Sequence, residues 1–447
     1  MVTEDLLLGI DLGTSRCKVL LITPGGVERA TVGRDTPWSP VETGAELDPD
    51  VLESTVLEIV ADARTRAGGG RIRALAITAI GQTGVLVGPD GRPLTPMVIW
   101  HDTRAANEAR ALGETIGTRR FSEITGLPLS PFFAPSMYRW FVDHEPRARE
   151  GVRWLGMAEW LAYRLGGGQV AEWSLASQSG FLDSFAGTWS LEILEWSGGP
   201  QTLLPDLVPA GAAIGTVRPE YPSLAGATIA IGGHDHPCAA VGALATAAGD
   251  LYDSCGTAET IVKGTGEVAD RVAAVESVLS DELMVGRHVL DGRLTVTGSI
   301  PTGRFLGGVL RALGVDPVAA GDLDREALDL PSPEPLEGIR VRNDAQFDFD
   351  AIATSAPPAV VWRRALETAA TEGARVAAAI ARHAGTPERI VVGGGWSRNR
   401  AFCAVKARVS PSPMIAPSDE PGARGAALLA GLAAGVYRDV AEFPAPG

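Results

Sequence analysis

The sequence predicts an α/β protein made of two similar domains. Three observations predict it. The chain has 447 residues, about three times a typical single-domain length. Short apolar runs alternate with segments whose apolar residues recur at helical spacing. One unit also occurs twice: "GIDLGTSRCKVLLI" from Gly9 and "LYDSCGTAETIVKG" from Leu251 both read as strand, Gly-Thr turn, strand. Asp-x-Gly-Thr-Ser (Asp11 to Ser15) matches Ser-x-Gly-Thr-Ala (Ser254 to Ala258). A hairpin repeated half a chain apart suggests two like domains facing one another, with turns that clamp one ligand from both sides.

The elements follow in order. "GGVERATVGRDT" supplies a third strand and closes the first meander. Apolar spacing predicts a helix from Asp48 to Ala67. Two strands follow in "IRALAITAIGQTGVLVGPDGRPLTPMVIW", where Pro-Asp-Gly-Arg signals a hairpin. Arg104 to about Leu165 reads as mostly helical, broken by "GLPLSPFFAPS". The domain boundary is expected near Leu244 to Ala248, giving domains 1–244 and 245–447. Late in the chain, "RIVVGGGWSRNRAF" is a buried strand entering a triple-Gly turn and a helix, with Ser397 as the expected N-cap. "SDEPGARGAALLAGLAAGVY" is an Ala-rich helix whose small residues suit close packing.

The net charge of −15 opposes loose binding to nucleic acid or anionic membranes. A phosphate ligand must then be held by local N–H groups, a cation or a metal. No apolar run reaches the ~20 residues of a membrane span, and the amino terminus lacks a signal-peptide pattern. The four cysteines have no C-x-x-C spacing and read as reduced thiols of a cytoplasmic protein.

The Gly-Thr turns are the first chemical candidates. Glycine lets backbone N–H groups approach an anion, and the threonine hydroxyl adds a donor. Gly13, Thr14, Ser15 and Lys18 on one turn, with Gly256 and Thr257 on the other, are phosphate candidates; an ordinary hairpin is the alternative. Asp11, at a strand end, is placed to hold Mg²⁺. "IAIGGHDHPCAAVGA" presents Asp235 between His234 and His236. It reads as a catalytic base, or as a helix N-cap with Pro237 just inside the helix. His-x-His raises zinc, but no second Cys/His pair lies at metal spacing. "WHDTR" offers Trp100, Asp102 and Arg104 to a polyhydroxy ligand, or else Asp102 caps a helix. "VVGGGWSRN" lacks the third glycine of a dinucleotide fingerprint, and no P-loop or nucleophile elbow occurs.

Taken together, these stretches resemble the FGGY family of carbohydrate kinases, in the actin-like ATPase superfamily. The matches run in family order over almost the whole chain: "GIDLGTS", "GQTG…W-x-D-x-R", "TGLPLSPFFAPSMYRW", "WSLASQSGFLD", "GGHDH", "SCGT", "VVGGGWSRN" and "EPGARGAALLAG". The resemblance implies two ribonuclease-H-like domains facing across a cleft, with ATP mainly on the second and the sugar on the first. It implies Asp11 near Mg²⁺, Gly13, Thr14 and Lys18 at the transferred phosphate, and Gly256 and Thr257 at the others. Gly394, Gly395 and Asn399 would border the nucleotide, and Asp235 would be the general base.

The departures from the family pattern concern the acceptor. Met137 stands for a family lysine and Glu159 for a family aspartate. Xylulose kinases carry Met-His and glycerol kinases Arg-Glu where this chain has Thr83-Gly84. The expected activity is transfer of the ATP γ-phosphate to a ketopentose-like sugar, aldonate or polyol. Gln82, Thr83, Trp100, Asp102, Arg104 and His234 are the substrate-side candidates. A kinase of a cyclitol or biosynthetic intermediate, or an actin-like ATPase switch with no sugar substrate, are the other readings. Family habit suggests a homodimer.

Overall fold

The computed structural model describes residues 4–280, 282–316, 320–331, 356–410, 414–415 and 420–445. The chain forms two compact units. One comprises Met1–Thr246, Val275–Thr295 and Glu420–Gly447; the other comprises Ala247–Ala274 and Val296–Asp419. The first crossover, after Thr246, falls within the expected boundary of Leu244 to Ala248; beyond it the chain re-enters the first unit twice, at Val275–Thr295 and from Glu420.

The first unit opens on the predicted meander, β1 (Asp5–Leu12), β2 (Arg16–Ile22) and β3 (Glu28–Asp35). Helix α1 (Pro49–Arg66) follows, capped by Asp48, whose side chain accepts the Asp50 N–H. Then come β4 (Arg71–Ala79), helices α2 (Met157–Leu165) and α3 (Trp173–Gln178), the short β5 (Gly215–Thr216), β6 (Thr228–His234) and helix α4 (Asp235–Gly242). The strands order as β5-β6-β4-β1-β2-β3. β1 is antiparallel to β2, whereas β4 and β6 run parallel to β1.

Strand alternation decides which residues meet. Leu6, Leu8, Ile10 and Leu12 of β1 join one core, with α1 residues Leu52, Val56, Ile59 and Val60. Leu7 faces the opposite core, as do Leu20 and Ile22 of β2. Gly9 and Asp11 share the face of Leu7, and Lys18 shares that of Leu20.

The second unit repeats the pattern. β7 (Asp250–Cys255) and β8 (Glu259–Thr265) form an antiparallel hairpin. β9 (Leu294–Ile300), β10 (Arg389–Gly393) and β11 (Met414–Ile415) complete the order β9-β8-β7-β10-β11. β10 lies parallel beside β7, as β4 lies beside β1. Helices α5 (Thr302–Ala312), α6 (Gly321–Asp329), α7 (Pro358–Ala384) and α8 (Arg400–Val409) belong to this unit. Ser397 is not the N-cap of α8: Asn399 accepts the Phe402 N–H at 2.8 Å, while Ser397 donates to the Gly394 carbonyl at 2.7 Å. The three-residue spacing from cap to N3 fits Asn399, because a tight turn over Gly395–Arg398 delays the helix.

The chain then returns to the first unit as α9 (Pro421–Ala433). Ala423, Ala426, Ala427 and Ala430 lie in the core with Leu7, Leu20 and Ile22. Contact is backbone to backbone. A Cβ on Gly9 would stand 1.7 Å from the Ala423 carbonyl oxygen, and one on Gly425 would stand 2.0 Å from that of Cys238 in α4. Glycine at these positions is what lets the helix settle onto the strand. Among the described residues, no helix is long and apolar enough to cross a membrane.

Gly9→Ala is expected to destabilise the protein by about 3 kcal/mol or more, because rigid helix backbone cannot yield to the new methyl. Gly266→Ala, where a Cβ meets nothing within 4 Å, is the control in denaturant unfolding. Equal midpoints for the two variants would contradict this packing.

Candidate active site

In the first unit the Gly-Thr turn is fastened by its carbonyls. Thr36 Oγ1 donates to the Gly13 carbonyl at 2.7 Å, Trp38 Nε1 to that of Thr14 at 2.8 Å, and the Thr36 N–H to that of Ser15 at 3.0 Å. The acceptor side of the turn is therefore committed. The Gly13 N–H is also spent, on the Arg16 carbonyl at 3.1 Å, which leaves the Thr14 and Ser15 amides for an anion.

Asp11 and Lys18 are directly paired across β1 and β2. Lys18 Nζ also meets Glu420 Oε2 at 2.6 Å, immediately before α9. Gly422 lies so near that a Cβ there would stand 2.6 Å from Asp11 Oδ2. Burial chiefly, then the charges of Asp235 and Glu420, push the Asp11 carboxyl up to about 7; Lys18 opposes them. Lys18 thus pairs with Glu420 and also acts on Asp11, whose carboxyl feels the charges of two further acids. The sequence did not reveal Glu420 as a site residue, because nothing local says that the helix it precedes returns to β1.

Asp235 begins α4, just past the end of β6. Its side chain is not the N-cap: His234 occupies that position, and α4 has no side-chain cap bond. Instead Asp235 Oδ1 accepts the His236 N–H at 2.7 Å and lies 3.2 Å from His234 Nε2 and 3.7 Å from His236 Nε2. Burial, the largest cause, drives the His234 pKa down to about 4, so the ring beside Asp235 is neutral at neutral pH. The strand end is set from behind. Glu172 accepts the N–H groups of Ser174 and Leu175, and Ser174 Oγ accepts the His234 N–H at 2.8 Å. Glu172 and Ser174 are positioning groups; Glu172 gave no motif signal, and Ser174 lies in the family-like stretch "WSLASQSGFLD" without a role that could be read there.

The other candidates divide. Gln82 has φ 65°, the left-handed region, uncommon outside glycine. Its Nε2 donates to Gln178 Oε1 at 2.7 Å. Trp100 Nε1 donates to Thr14 Oγ1 at 3.2 Å, and its ring meets Phe132 edge-on. Thr83 is buried and its hydroxyl is committed to the Val98 carbonyl. Asp102 and Arg104 are spent on each other. Arg104 Nε and Nη2 donate to the two Asp102 oxygens at 2.9 and 3.1 Å. Nη1 reaches Glu46, and the guanidinium lies over Trp140. Burial pushes the Asp102 pKa up, but the Arg104 bonds outweigh it and hold the carboxyl below its ordinary value. Asp102 does not cap a helix either; Oδ1 accepts the Arg104 N–H in a local turn.

In the second unit, the Gly256 N–H donates to the Ser254 and Ala258 carbonyls, and the Arg304 N–H donates to the Thr257 carbonyl at 3.0 Å. Gly394, at φ 85°, lets its chain pass within 2.7 Å of the Cys255 carbonyl oxygen, measured from a Cβ it lacks. Gly395 borders open space. Asn399 caps α8 with Oδ1 and gives Nδ2 to Asp324 at 2.9 Å. Beneath the turn, Lys406 bonds Asp253 and Glu259 and lies 3.6 Å from Cys255 Sγ. Asp253, Cys255 and Glu259 are the one group of metal-type ligand atoms gathered closely among the described residues. The Lys406 ammonium already supplies the cation. Burial alone would lower its pKa, but Asp253, Cys255 and Glu259 hold it well above the ordinary value.

The sequence profile of the N-terminal domain of the FGGY family of carbohydrate kinases matches residues 6–242, and that of the C-terminal domain matches residues 339–434. A glycerol kinase of Polaromonas sp. is 28% identical over 98% of this chain and 92% of its own. The crystal structure of a xylulose kinase from Rhodospirillum rubrum superposes with TM-score 0.82 at 23% identity, covering 96% of this chain and 90% of that one. A gluconate kinase from Lactobacillus acidophilus gives 0.83 at 19%, covering 98% and 91%. The fold is the two-domain actin-like ATPase fold.

Two outcomes test the charge balance. Asp11 has a raised pKa, so its neutral form favours the metal-free fold. That contribution is complete below the unfolded value near 4 and is lost as pH rises through about 7. In EDTA, Asp11→Asn is therefore expected to raise Tm by about 2–5 °C at pH 8 and by little at pH 5; a pH-independent difference in calorimetry would oppose the assignment. Lys406→Met leaves two buried carboxylates unpaired and is expected to cost about 3–5 kcal/mol in chemical unfolding. A loss below about 1 kcal/mol would show that the cluster is not a buried ion site.

Proposed function

This chain belongs to the FGGY family of carbohydrate kinases, and we propose which of its residues carry the transfer. It is a phosphotransferase with an alcohol acceptor. In our reading the donor is ATP, the acceptor is a sugar or polyol, and Asp235 is the general base. The observation that carries this assignment is the Asp235 environment. A neutral histidine and a backbone N–H hold the carboxylate at the end of a parallel strand, and its side chain is not consumed as a helix cap. Ligands of open α/β sheets bind off such strand ends.

Each group then has a task. Asp235 takes the hydroxyl proton as the acceptor oxygen attacks phosphorus, which is worth roughly 10²–10⁴-fold. In the Gly13 turn, the Thr14 and Ser15 amides, the Thr14 hydroxyl and Lys18 hold the transferred phosphate. Gly256 and Thr257 hold the remaining phosphates, and the Gly394–Gly395 turn borders the nucleotide. Gln82 and Trp100 orient the acceptor. Asp102, Arg104 and Thr83 support that wall through bonds among protein groups.

Mg²⁺ fits the Asp11 side on charge and donor type. The donor is a carboxylate, and the charges of Asp235 and Glu420 act on Asp11 against one lysine, an excess of acid that the raised Asp11 pKa registers. When bound, Mg²⁺ neutralises charge on the phosphate oxygens. Asp11 is the residue to hold it, directly or through water. Lys18, already paired to Glu420, is kept extended toward the same place.

Asp235→Asn tests the base. The variant is expected to keep its melting temperature and ATP affinity while turnover on the best acceptor falls at least about 10²-fold. Turnover within a few-fold of the parent would refute the role. Asp11→Ala is expected to raise the Mg²⁺ concentration needed for half-maximal rate by about tenfold or more. Superimposable Mg²⁺ titrations would leave Asp11 a turn residue only.

A further inference from the structure

Inside the first unit lies a cavity that shares Gln82 and Thr83 with the acceptor wall and extends to residues with no role assigned above. Trp154, Phe181 and Trp189 form its apolar side; Gln82, Thr83 and Glu159 form its polar side. It is a built space. The Trp154 indole nitrogen occupies room that exists because residue 84 is glycine, since a Cβ there would stand 2.4 Å from it. Glu159 Oε2 likewise would be 2.2 Å from a Cβ on Gly156. Both glycines are needed for the walls to stand as they do.

Glu159 is the unusual member. It is 2% exposed. Its Oε1 accepts the Glu172 N–H at 3.2 Å, but Oε2 has no hydrogen-bond partner in the protein. An orphaned buried carboxyl oxygen is costly and points to a missing partner. Thr83 cannot supply it, because its hydroxyl is given to Val98. The cavity also adjoins the acceptor side of the site. Leu175 and Ala176 of α3 line it, while Ser174 of the same helix holds the His234 N–H. Gln82 is bonded to Gln178, whose side chain packs beside Gly81, and Gly81 in turn abuts His234.

The chemistry of the wall selects a ligand. Aromatic faces suit the C–H side of a polyhydroxy chain. A carboxyl group kept protonated can both donate to and accept from a hydroxyl, and burial pushes the Glu159 pKa up to about 8. No lysine, arginine or histidine lines the cavity among the described residues. Glu172, also raised by burial, to about 7, lies behind Glu159. A carboxylate entering here would be desolvated with no cation in the lining to balance it, and its charge would oppose ionisation of the acids nearby.

We propose that this cavity is an acceptor subsite that receives the uncharged far end of a polyhydroxy substrate longer than glycerol, with Glu159 hydrogen-bonding one of its hydroxyls. The inference rests on the kinase reading. It narrows the acceptor to neutral four- or five-carbon polyols and sugars and excludes aldonates.

The test is a kcat/KM panel of glycerol, neutral four- and five-carbon polyols and ketoses, and the matching aldonates, run on the parent enzyme and on Ala176→Leu, which narrows the cavity. The best neutral five-carbon acceptor is expected to exceed glycerol at least about tenfold and its aldonate by about tenfold or more. Ala176→Leu should shrink the five-carbon-to-glycerol ratio about tenfold. Binding has an independent readout, since Trp154 and Trp189 line the cavity: the best neutral acceptor should shift indole emission without ATP, and less so in Ala176→Leu. A flat length series, an aldonate that matches or beats its neutral partner, or a ratio unchanged in Ala176→Leu overturns the subsite while leaving the kinase intact. No alcohol-dependent ADP release across the panel overturns the kinase reading itself, and the subsite with it.

Discussion

The candidate site rests on one close contact, the backbone packing of α9 on β1. Gly9 has no side chain, so helix and strand touch main chain to main chain. That contact fixes the axial position of α9, and its first turn then falls beside Asp11. Glu420 arrives at Lys18 for the same reason. A longer residue at Gly9 would lift the helix and pull the acid from the lysine and the helix end from Asp11. Packing at one residue thus governs electrostatics two residues further along the same strand face.

The two hairpins show how one scaffold supports different charges. In the first, the strand-end residue is Asp11, and the surplus of acid around it suits a removable cation. In the second, Ser254 stands at the matching place, and the acids lie one residue before it, at Asp253, and across the turn, at Glu259. There a permanent cation, Lys406, holds Asp253 and Glu259 together. The first arrangement leaves charge to be met by a ligand. The second closes the charge inside the protein and so stiffens the arms of the Gly256–Thr257 turn.

Much of this was legible in the sequence. The repeated Gly-Thr hairpins, the α1 boundaries and the Ala-rich closing helix are local patterns of period, cap and turn residue, and they stand in the structure. What could not be read is what depends on distant partners. Asp102 and Arg104 look like ligands because they are polar and follow a strand, yet they bond each other. Glu172 and Ser174 look like an ordinary helix start, yet they set the His234 backbone. Ser397 precedes a helix, but a short turn hands the cap to Asn399. Glu159 could be singled out as a departure from a family pattern, but its orphaned oxygen is a fact of three-dimensional enclosure.

The route of the chain has a consequence for biosynthesis. The face of the first sheet carrying Leu7, Leu20, Ile22 and Ala230 is covered by α9, which is made long after those strands. At ordinary elongation speeds the interval between Thr246 and Glu420 lasts roughly 10–35 s. Throughout it that apolar sheet face is covered only in part, by Cys238 and Val241 of α4. Such a surface invites holding by chaperones and sticking to neighbouring nascent chains. The Lys18–Glu420 pair therefore waits for α9, and a chain released before that helix carries Asp11 and Lys18 without the helix start that lies beside them.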